Sequence, residues 1–288
     1  MSRGKFVPAT LRNALREHWP EYLIEAWALG SFMVSAGIVA TLLGAPHSAV
    51  HRAIPGALWR NVAGGVAMGL TAIALIHSGW GKRSGAHMNP AVTLAFLRLG
   101  KIRPWDALFF AFAQILGGTA GVLLVAAFFG PAFTDAPVSY AATLPGPQGP
   151  GVAFFAELVI SAFLIFIVLS LSSSARFARF TGFAAGCLVA TYITFESPLS
   201  GMSMNPARSF ASAAPGMQWQ YLWIYLTAPV LGMLTGAQIF LVLTGARRAL
   251  CAKLLHPLSV PCIHCGYAPP LAAAHPAPSG QNPWSDTA

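Results

Sequence analysis

The tetrapeptide Met-Asn-Pro-Ala occurs twice in this chain, around Asn89 and Asn205, and each copy lies between long apolar segments. Asparagine is a preferred helix N-cap, and the proline that follows it suits the first helical position. The apolar run after each copy is short, at residues 90–99 and 206–214. About ten residues rise roughly 15 Å, half of a roughly 30 Å hydrocarbon core. We therefore expect two half-helices that meet end to end at mid-membrane.

The composition indicates a membrane protein, because 56% of the 288 residues are hydrophobic and only 9% are charged. The formal net charge of +9 raises the question of nucleic-acid binding. The basic residues, however, stand in short pairs at the ends of apolar runs and form no stripe with aromatic residues, so we predict no nucleic-acid partner. No cleavable signal peptide is expected, because residues 1–20 are polar and basic. No nucleophile-and-base constellation or cofactor loop indicates an enzyme, and we predict no cofactor.

Six apolar runs are long enough to span a membrane, or nearly so. They are residues 22–44, 61–78, 105–129, 151–171, 181–195 and 219–243. With both termini in the cytoplasm, most Lys and Arg residues fall on the cytoplasmic side and only Arg52 and Arg60 fall outside, as the positive-inside rule requires. The absence of long soluble regions and of a disulfide framework favours the plasma (inner) membrane of a bacterium.

The chain also repeats itself. Residues 113–121 in the third span match residues 228–236 in the sixth, and Glu25 in the first span corresponds to Glu157 in the fourth. Each repeat holds three spans, an odd number, so the two repeats have opposite orientations. We predict an all-α integral membrane protein with six transmembrane helices, two re-entrant half-helices and an inverted internal repeat. Its predicted parts are a cytoplasmic tail (1–20), a first repeat (21–129), an extracellular connection (130–150), a second repeat (151–243) and a cytoplasmic tail (244–288) that is disordered over 269–288.

The two Asn-Pro-Ala boxes, the paired glutamates, the six spans and the internal repeat together resemble the aquaporin (major intrinsic protein) family. The resemblance covers residues 21–243 and is carried by the boxes at 84–93 and 205–210. It implies a homotetramer in a lipid bilayer with one pore in each subunit. Each pore would pass water or small uncharged solutes by passive diffusion and exclude ions and protons.

The pore prediction follows from the two boxes. Each asparagine oxygen is expected to cap its half-helix, which leaves the side-chain NH2 group free to donate into the lumen. The half-helix N-termini add roughly half a positive charge each at the centre, which disfavours cations. The expected box residues are Asn89, Pro90, Ala91, Asn205, Pro206 and Ala207, and the expected pore-lining backbone is that of Gly85, Ala86, His87, Gly201, Met202 and Ser203.

The resemblance makes Arg208, on the first turn of the second half-helix, the positive arm of an external selectivity filter; the first repeat has Val92 at this position. The other filter members, counted from the boxes by the family's spacing, are Ile193, Met202 and Met68. The choice of Met68 assumes that this chain has one extra residue within 80–83; without that insertion the filter residue would be Gly69.

This filter departs from the family's known patterns. Water-selective members carry His where this chain has Ile193. A glycerol-type filter would show an aromatic residue and an acid after the arginine, where this chain has Ser209. We expect water conduction with leakage of small neutral solutes, and the alternative is a glycerol-like facilitator with little water selectivity.

Glu25 and Glu157 are expected to accept backbone N–H groups of the dipping loops and hold them in shape, as in the family. A proton relay through these glutamates is what a secondary transporter would need, and the boxes offer amides but no free carboxylate at the midplane. His87 is interpreted as a structural histidine, with a cytoplasmic pH sensor as the alternative. A non-conducting or gated scaffold, blocked by Met68 and Met202, is the remaining alternative.

Two further stretches lie outside the pore. Residues 1–20 are expected either to form an amphipathic lead-in on the membrane surface or a plain basic tail. We predict no metal site. The weak candidates for one are Cys251, His256, Cys262 and Cys265, because a single Cys-x-x-Cys pair is a weak signal.

Overall fold

The computed structural model describes residues 10–174, 176–244, 251–257 and 259–267, and within these ranges it is helical without strands. The eight principal helices are α1 (Leu11–Gly44), α2 (Ala57–His77), α3 (Pro90–Arg98), α4 (Pro104–Phe129), α5 (Pro150–Ser172), α6 (Thr181–Phe195), α7 (Pro206–Ala213) and α8 (Leu222–Thr244). Short helical turns are Ala49–Ala53, Gly79–Ser84, Pro131–Thr134, Ser139–Ala141, Ala178–Phe180 and Ser197–Ser200. The disorder predicted for 269–288 concerns residues outside the described ranges.

Six segments of the described chain are long and apolar enough to cross a membrane: α1, α2, α4, α5, α8, and α6 together with the preceding turn Ala178–Phe180. They follow the six predicted runs closely, and α3 and α7 follow the two predicted half-helices. The predicted fold class is therefore confirmed. The runs located the helices well because a span needs about 20 consecutive apolar residues, a pattern that few other structures produce.

Helix α1 begins about ten residues earlier than its apolar run predicts. Its N-cap is Thr10, whose Oγ1 accepts from the Asn13 N–H, and Pro20 lies within the helix. The boundary placed at residue 20 thus falls inside one continuous helix. The early turns pack against α4, because His18 Nδ1 and the Tyr22 hydroxyl contact the buried Asp106 carboxylate at 2.8 and 2.6 Å. The described part of the expected surface lead-in is accordingly docked on the bundle.

The long helices pack in symmetric pairs. Within the first repeat α1 packs along α4, within the second α5 packs along α8, and α2 packs against α6 across the two repeats. The close pairs depend on glycine: a Cβ on Gly117 would lie 2.0 Å from the Ala26 oxygen, and one on Gly232 would lie 2.3 Å from the Leu158 oxygen. Small residues at matched positions let membrane helices approach closely.

Each half-helix crosses to the other repeat. Helix α3 packs against α8 and α7 packs against α4, and the two half-helices also contact one another. The repeats are therefore interlocked at the centre of the bundle, which places the two re-entrant loops face to face.

The outer surface of the bundle is apolar. Large side chains such as Leu116, Phe128 and Val242 are at least 69% exposed on the long helices. In water such a surface would be costly, whereas lipid tails accommodate it. The chain is a multi-pass membrane protein.

The described residues after α8, 251–257 and 259–267, are here called the tail segment. They lie against the loop that precedes α3, at the side of the bundle that we call the tail side; the opposite side is the far side. The N–H of Leu254 donates to the Gly85 oxygen at 3.2 Å. The predicted cytoplasmic tail thus has a docked part.

Candidate functional site: a pore through the bundle

The two re-entrant loops share an unusual backbone pattern. In the first loop Ala86 and Met88 have φ of 53° and 49°, and in the second Met202 and Met204 have φ of 52° and 53°. Left-handed backbone at non-glycine residues costs of order 1–3 kcal/mol each and persists only where surrounding contacts enforce it. The loops therefore need strong restraints.

Glu25 restrains the first loop. Its fully buried carboxylate accepts from the main-chain N–H groups of His87 (3.1 Å) and Met88 (2.7 Å) and from the hydroxyl of Ser84 (2.7 Å). Gln114 on α4 adds a fourth donor at 2.8 Å. These contacts are the ones that a loop-supporting glutamate requires.

Glu157 restrains the second loop in the same way. It is fully buried and accepts from the N–H groups of Ser203 (2.6 Å) and Met204 (2.7 Å) and from the Ser200 hydroxyl (2.8 Å). Both carboxylates are thus occupied by loop donors, an arrangement that a proton relay would have to break.

Asn89 and Asn205 cap the two half-helices. Oδ1 of Asn89 accepts from the Ala91 N–H at 2.8 Å, and Oδ1 of Asn205 accepts from the N–H groups of Ala207 and Arg208 at 3.1 and 3.2 Å. The following Pro90 and Pro206 stand at the first helical positions, buried where the half-helices meet.

The expectation of free side-chain NH2 groups needs correction. Nδ2 of Asn89 donates to the Met204 oxygen at 2.6 Å, and Nδ2 of Asn205 donates to the Met88 oxygen at 2.7 Å. An amide nitrogen has two hydrogens, so each group keeps one for the lumen. Each asparagine therefore links the loops as well as capping its own helix.

A cavity of about 450 Å³ passes both asparagines. It runs from Leu43 and Arg60 on the far side to Ile76 and Leu254 on the tail side. Of the predicted site residues it contacts Met68, Ala86, His87, Asn89, Ile193, Gly201, Met202, Ser203, Asn205 and Arg208. The structure therefore brings the predicted pore residues from both repeats together along one path.

Arg208 lines this cavity from α7, one turn beyond Asn205. Its Nη1 donates to the hydroxyl of Thr143, in the connection between repeats. Thr143 Oγ1 also lies 3.1 Å from Ser209 Oγ, which lies 2.6 Å from Ser203 Oγ. The connection thus contributes a residue, Thr143, that sequence reasoning missed because nothing in the local pattern of 130–150 marks it.

The other predicted filter residues, Met68, Ile193 and Met202, all line the cavity. Met68 lines the cavity, whereas the alternative Gly69 does not. A Cβ on Gly69 would lie 2.6 Å from the Gly186 oxygen, so Gly69 belongs to the contact between α2 and α6.

Ile193 lies opposite Gly64: a Cβ added to Gly64 would lie 3.9 Å from the Cγ2 of Ile193. Gly64 is one helical turn from Met68 and was also missed by the sequence reasoning. Gly64 adds no side chain to the cavity wall at this level.

Gly85 does not have the predicted pore-lining place. Of residues 85–87, Ala86 and His87 are among the described residues that line the cavity. The Gly85 oxygen instead accepts a hydrogen bond from the Leu254 N–H. His87 is held as a structural histidine: Nδ1 lies 3.0 Å from Thr93 Oγ1, and Nε2 donates to the Ala252 oxygen at 2.5 Å. A carbonyl only accepts, which fixes the hydrogen on Nε2.

The polar character of the cavity bears on the alternatives. The described residues that line it include Arg60, His87 and Arg208 but neither Asp nor Glu. A cation-coupled transporter needs a free titratable or cation-binding group in its substrate path, whereas both ring nitrogens of His87 are engaged by Thr93 and Ala252. The described lining therefore lacks the carboxylate that a cation-coupled path would use.

Comparisons with known proteins agree with this architecture. Aquaporin NIP1-4 of Oryza sativa subsp. japonica is 35% identical over 186 residues, which cover 63% of this chain and 66% of that protein. Aquaporin NIP1-3 of the same plant is 35% identical over 60% of this chain and 58% of its own length. The chain thus spans less than two thirds of the length of these relatives.

A solved structure shows the same fold. The aquaglyceroporin from Plasmodium falciparum superimposes with a TM-score of 0.66 at 20% sequence identity, covering 78% of this chain and 96% of that one. Residues 15–240 match the sequence pattern of the family described as "Major intrinsic protein". With the interlocked half-helices, the inverted repeat and this match over most of its length, the chain belongs to the major intrinsic protein family.

Proposed function

We propose that the protein is a transmembrane channel for passive diffusion of water and small uncharged solutes. The observation that carries this proposal is the cavity that passes both Asn89 and Asn205. Each asparagine is fixed by its cap and by its bond to the opposite loop, and each retains one N–H for a passing solute. The carbonyls of Ala86 and Met202 supply acceptors on the two sides of this centre, since those of Met88 and Met204 already accept from the asparagines.

Exclusion of ions follows from the charges near the path. The N-termini of α3 and α7 meet at the centre and add roughly half a positive charge each. Arg208 adds a full charge on the far side, without an acidic residue among the described lining residues. Cations and hydronium are therefore repelled, and an anion would have to lose its hydration in a largely apolar path.

A second candidate function, facilitation of glycerol-sized solutes with little water selectivity, is favoured by one observation. Gly64 faces Ile193, so the described helices α2 and α6 place neither the aromatic side chain nor the histidine that would narrow the cavity at this level. The flexible side chains of Met68 and Met202 yield to a larger solute more readily than rigid rings do.

The charge distribution and the outer surface support a proposal for the setting of the channel. The distribution of Lys and Arg supports a plasma (inner) membrane location with both termini in the cytoplasm, which makes the tail side cytoplasmic. The exposed apolar helices fit a lipid bilayer and contact between subunits. The homotetramer rests on membership of the family.

Stopped-flow light scattering of proteoliposomes tests the function. Native protein is compared with Arg208→Val, which gives the second repeat the residue that the first has at Val92. We expect faster osmotic shrinkage than in empty vesicles and, for the variant, increased re-swelling in glycerol. Slow glycerol re-swelling with the native protein would identify it as a water channel, and fast re-swelling would identify it as a facilitator of glycerol-sized solutes. Shrinkage no faster than in empty vesicles, with correctly folded protein, would overturn the channel and favour the scaffold.

A further inference from the structure

Four metal-ligating side chains converge in the tail segment. Cys251 Sγ lies 3.5 Å from Cys262 Sγ, and His256 Nε2 lies 3.2 Å from Cys265 Sγ. All four ligand atoms lie within 4.8 Å of one another. The sequence indicated these four residues only as weak candidates, because Cys251 and His256 are separated from the Cys-x-x-Cys pair and from each other.

These separations fit a tetrahedral zinc ion. Tetrahedral Zn–S bonds of about 2.3 Å and a Zn–N bond of about 2.0 Å place the ligand atoms roughly 3.5 to 3.8 Å apart. Three thiolates and one imidazole are ligands that zinc prefers and that calcium and magnesium avoid. Small side-chain rotations close the wider separations.

The backbone around the Cys-x-x-Cys pair has the form of a metal-binding turn. The Gly266 N–H donates to the Cys262 oxygen at 3.0 Å, and Gly266 has φ of +72°, a conformation that favours glycine. Main-chain N–H groups of Cys265 and His264 favour the thiolate form of Cys262, and that of Tyr267 favours the thiolate form of Cys265. Hydrogen bonds of this kind stabilise thiolates that bind a metal.

Lys253 supplies a second, independent observation. Its side chain is only 2% exposed, and its Nζ has no hydrogen-bond partner among the described residues. A buried ammonium is costly unless a charge compensates it. Zinc bound by three thiolates and a neutral imidazole carries a net charge of −1, and Lys253 is close enough to Cys262 to interact with it electrostatically.

The same residues connect this cluster to the pore. Between the ligands Cys251 and His256, the Ala252 oxygen accepts from His87 at 2.5 Å and the Leu254 N–H donates to the Gly85 oxygen at 3.2 Å. Leu254 also lines the tail-side end of the cavity.

The Cys-x-x-Cys turn makes a further contact. His264, between Cys262 and Cys265, donates from Nε2 to the Ser84 oxygen at 2.9 Å. Its ring is stacked against that of His87, with centroids 6.1 Å apart. Both halves of the cluster are therefore attached to the loop that leads into α3.

We propose that Cys251, His256, Cys262 and Cys265 bind one zinc ion, and that this ion holds Leu254 across the tail-side mouth of the pore. The metal joins the two parts of the tail segment, so both press on the 84–88 loop together. Without it, a few hydrogen bonds and apolar contacts hold each part separately, and the mouth opens. The zinc site stands on its own geometry, whereas the control of permeation rests on the proposed channel function.

The metal site is tested on the full-length protein purified in detergent. We expect about one zinc ion per chain by elemental analysis. Replacement by Co²⁺ should give the visible and thiolate charge-transfer absorption of a tetrahedral thiolate site. Cys262→Ser combined with Cys265→Ser should abolish both signals, while Cys187→Ser, which removes an exposed thiol on α6, should preserve them. Protein without zinc affinity, or with a Cys251–Cys262 disulfide in place of metal, would overturn the site.

The clamp is tested by two readouts. In proteoliposomes, a membrane-permeant zinc chelator should raise water permeability several-fold for native protein and Cys187→Ser, and leave the double-cysteine variant unchanged at the raised level. Amide hydrogen exchange should independently quicken in residues 84–88 and 251–257 when zinc is removed. Unchanged exchange overturns the clamp even if the protein conducts nothing, and unchanged permeability in a conducting protein overturns the control of permeation.

Discussion

Asn89 donates a hydrogen bond from Nδ2 to the main-chain oxygen of Met204, at 2.6 Å, and so ties the first re-entrant loop to the second. Asn205 makes the reciprocal bond to Met88 at 2.7 Å. The two loops come from opposite sides of the bundle, so these bonds fix the relative position of the half-helices. The polar centre of the cavity is consequently a single cross-linked unit.

Asn89→Ala should lower the free energy of unfolding by about 2 kcal/mol. The change removes the helix cap, worth about 1 kcal/mol, and the bond to Met204, worth about as much again. Thermal unfolding in detergent measures the effect. Asn61→Ala is the matched control, because Asn61 lines the same cavity away from both loops. Equal stability of the two variants would contradict the cross-link as a stabilising contact.

Glu25→Gln should be more damaging, with a loss of about 3 kcal/mol or more. The glutamine amide would turn NH2 toward donors that now face a carboxylate oxygen, including the Met88 N–H and Gln114 Nε2. The left-handed loop would lose its main restraint, so water permeability should fall as well.

The control for this prediction is Glu17→Gln, an exposed position on the same helix. Thermal unfolding and osmotic shrinkage are measured on both variants. A Glu25→Gln protein that matched Glu17→Gln in both would show that the loop keeps its shape without the carboxylate.

The sequence predicts local features of this site well. Asn89 and Asn205 indicate where the half-helices begin, because an N-cap and the proline after it determine the helix start within a single turn. The spans are found for a similar reason, since lipid exposure demands long apolar runs. Helix α6 has the bounds predicted for it, residues 181–195.

Contacts between distant segments could not be predicted in this way. The Asn89–Met204 bond joins residues 115 positions apart, and the His87–Ala252 contact joins residues 165 apart. The side chains of Met204 and Ala252 do not indicate these contacts, because the accepting group is a main-chain oxygen that every residue has. The position of Gly64 opposite Ile193 likewise depends on how α2 and α6 cross.

Gly64→Ala should reduce glycerol permeability several-fold while preserving folding. An added Cβ would lie 3.4 Å from Leu43 Cδ1 and 3.9 Å from Ile193 Cγ2, which are ordinary contact distances, and it would narrow the cavity. Water permeability should fall less than glycerol permeability. Stopped-flow measurements with both osmolytes test this, and an unchanged ratio would place the narrowest point elsewhere.

Gly69→Ala should show the opposite behaviour. Its Cβ would lie 2.6 Å from the Gly186 oxygen, so α2 and α6 must move apart at a cost of about 1–3 kcal/mol. We expect a lower thermal midpoint in detergent. A variant as stable as Gly64→Ala would contradict the tight helix contact.

Glu196 should make stability depend on pH. Burial, together with the nearby Glu157 carboxylate, raises the pKa of this carboxyl, just beyond α6, to about 7. The folded protein therefore binds this proton more tightly than the unfolded chain, whose carboxyl has its ordinary pKa of 4.5. Stability is highest below pH 4.5 with respect to this group and is lost as the pH rises toward 7, by up to about 3 kcal/mol.

Glu196→Gln removes this ionisation and should raise the thermal midpoint at pH 8 relative to native protein. At pH 5 the two proteins should be nearly equal, because the native carboxyl is then largely protonated. The difference between native and variant midpoints, measured from pH 5 to 8, cancels the contributions of other titrating groups. A difference that shrank as the pH rose would mean that the ionised carboxylate is stabilised in the fold, contrary to its buried position beside Glu157.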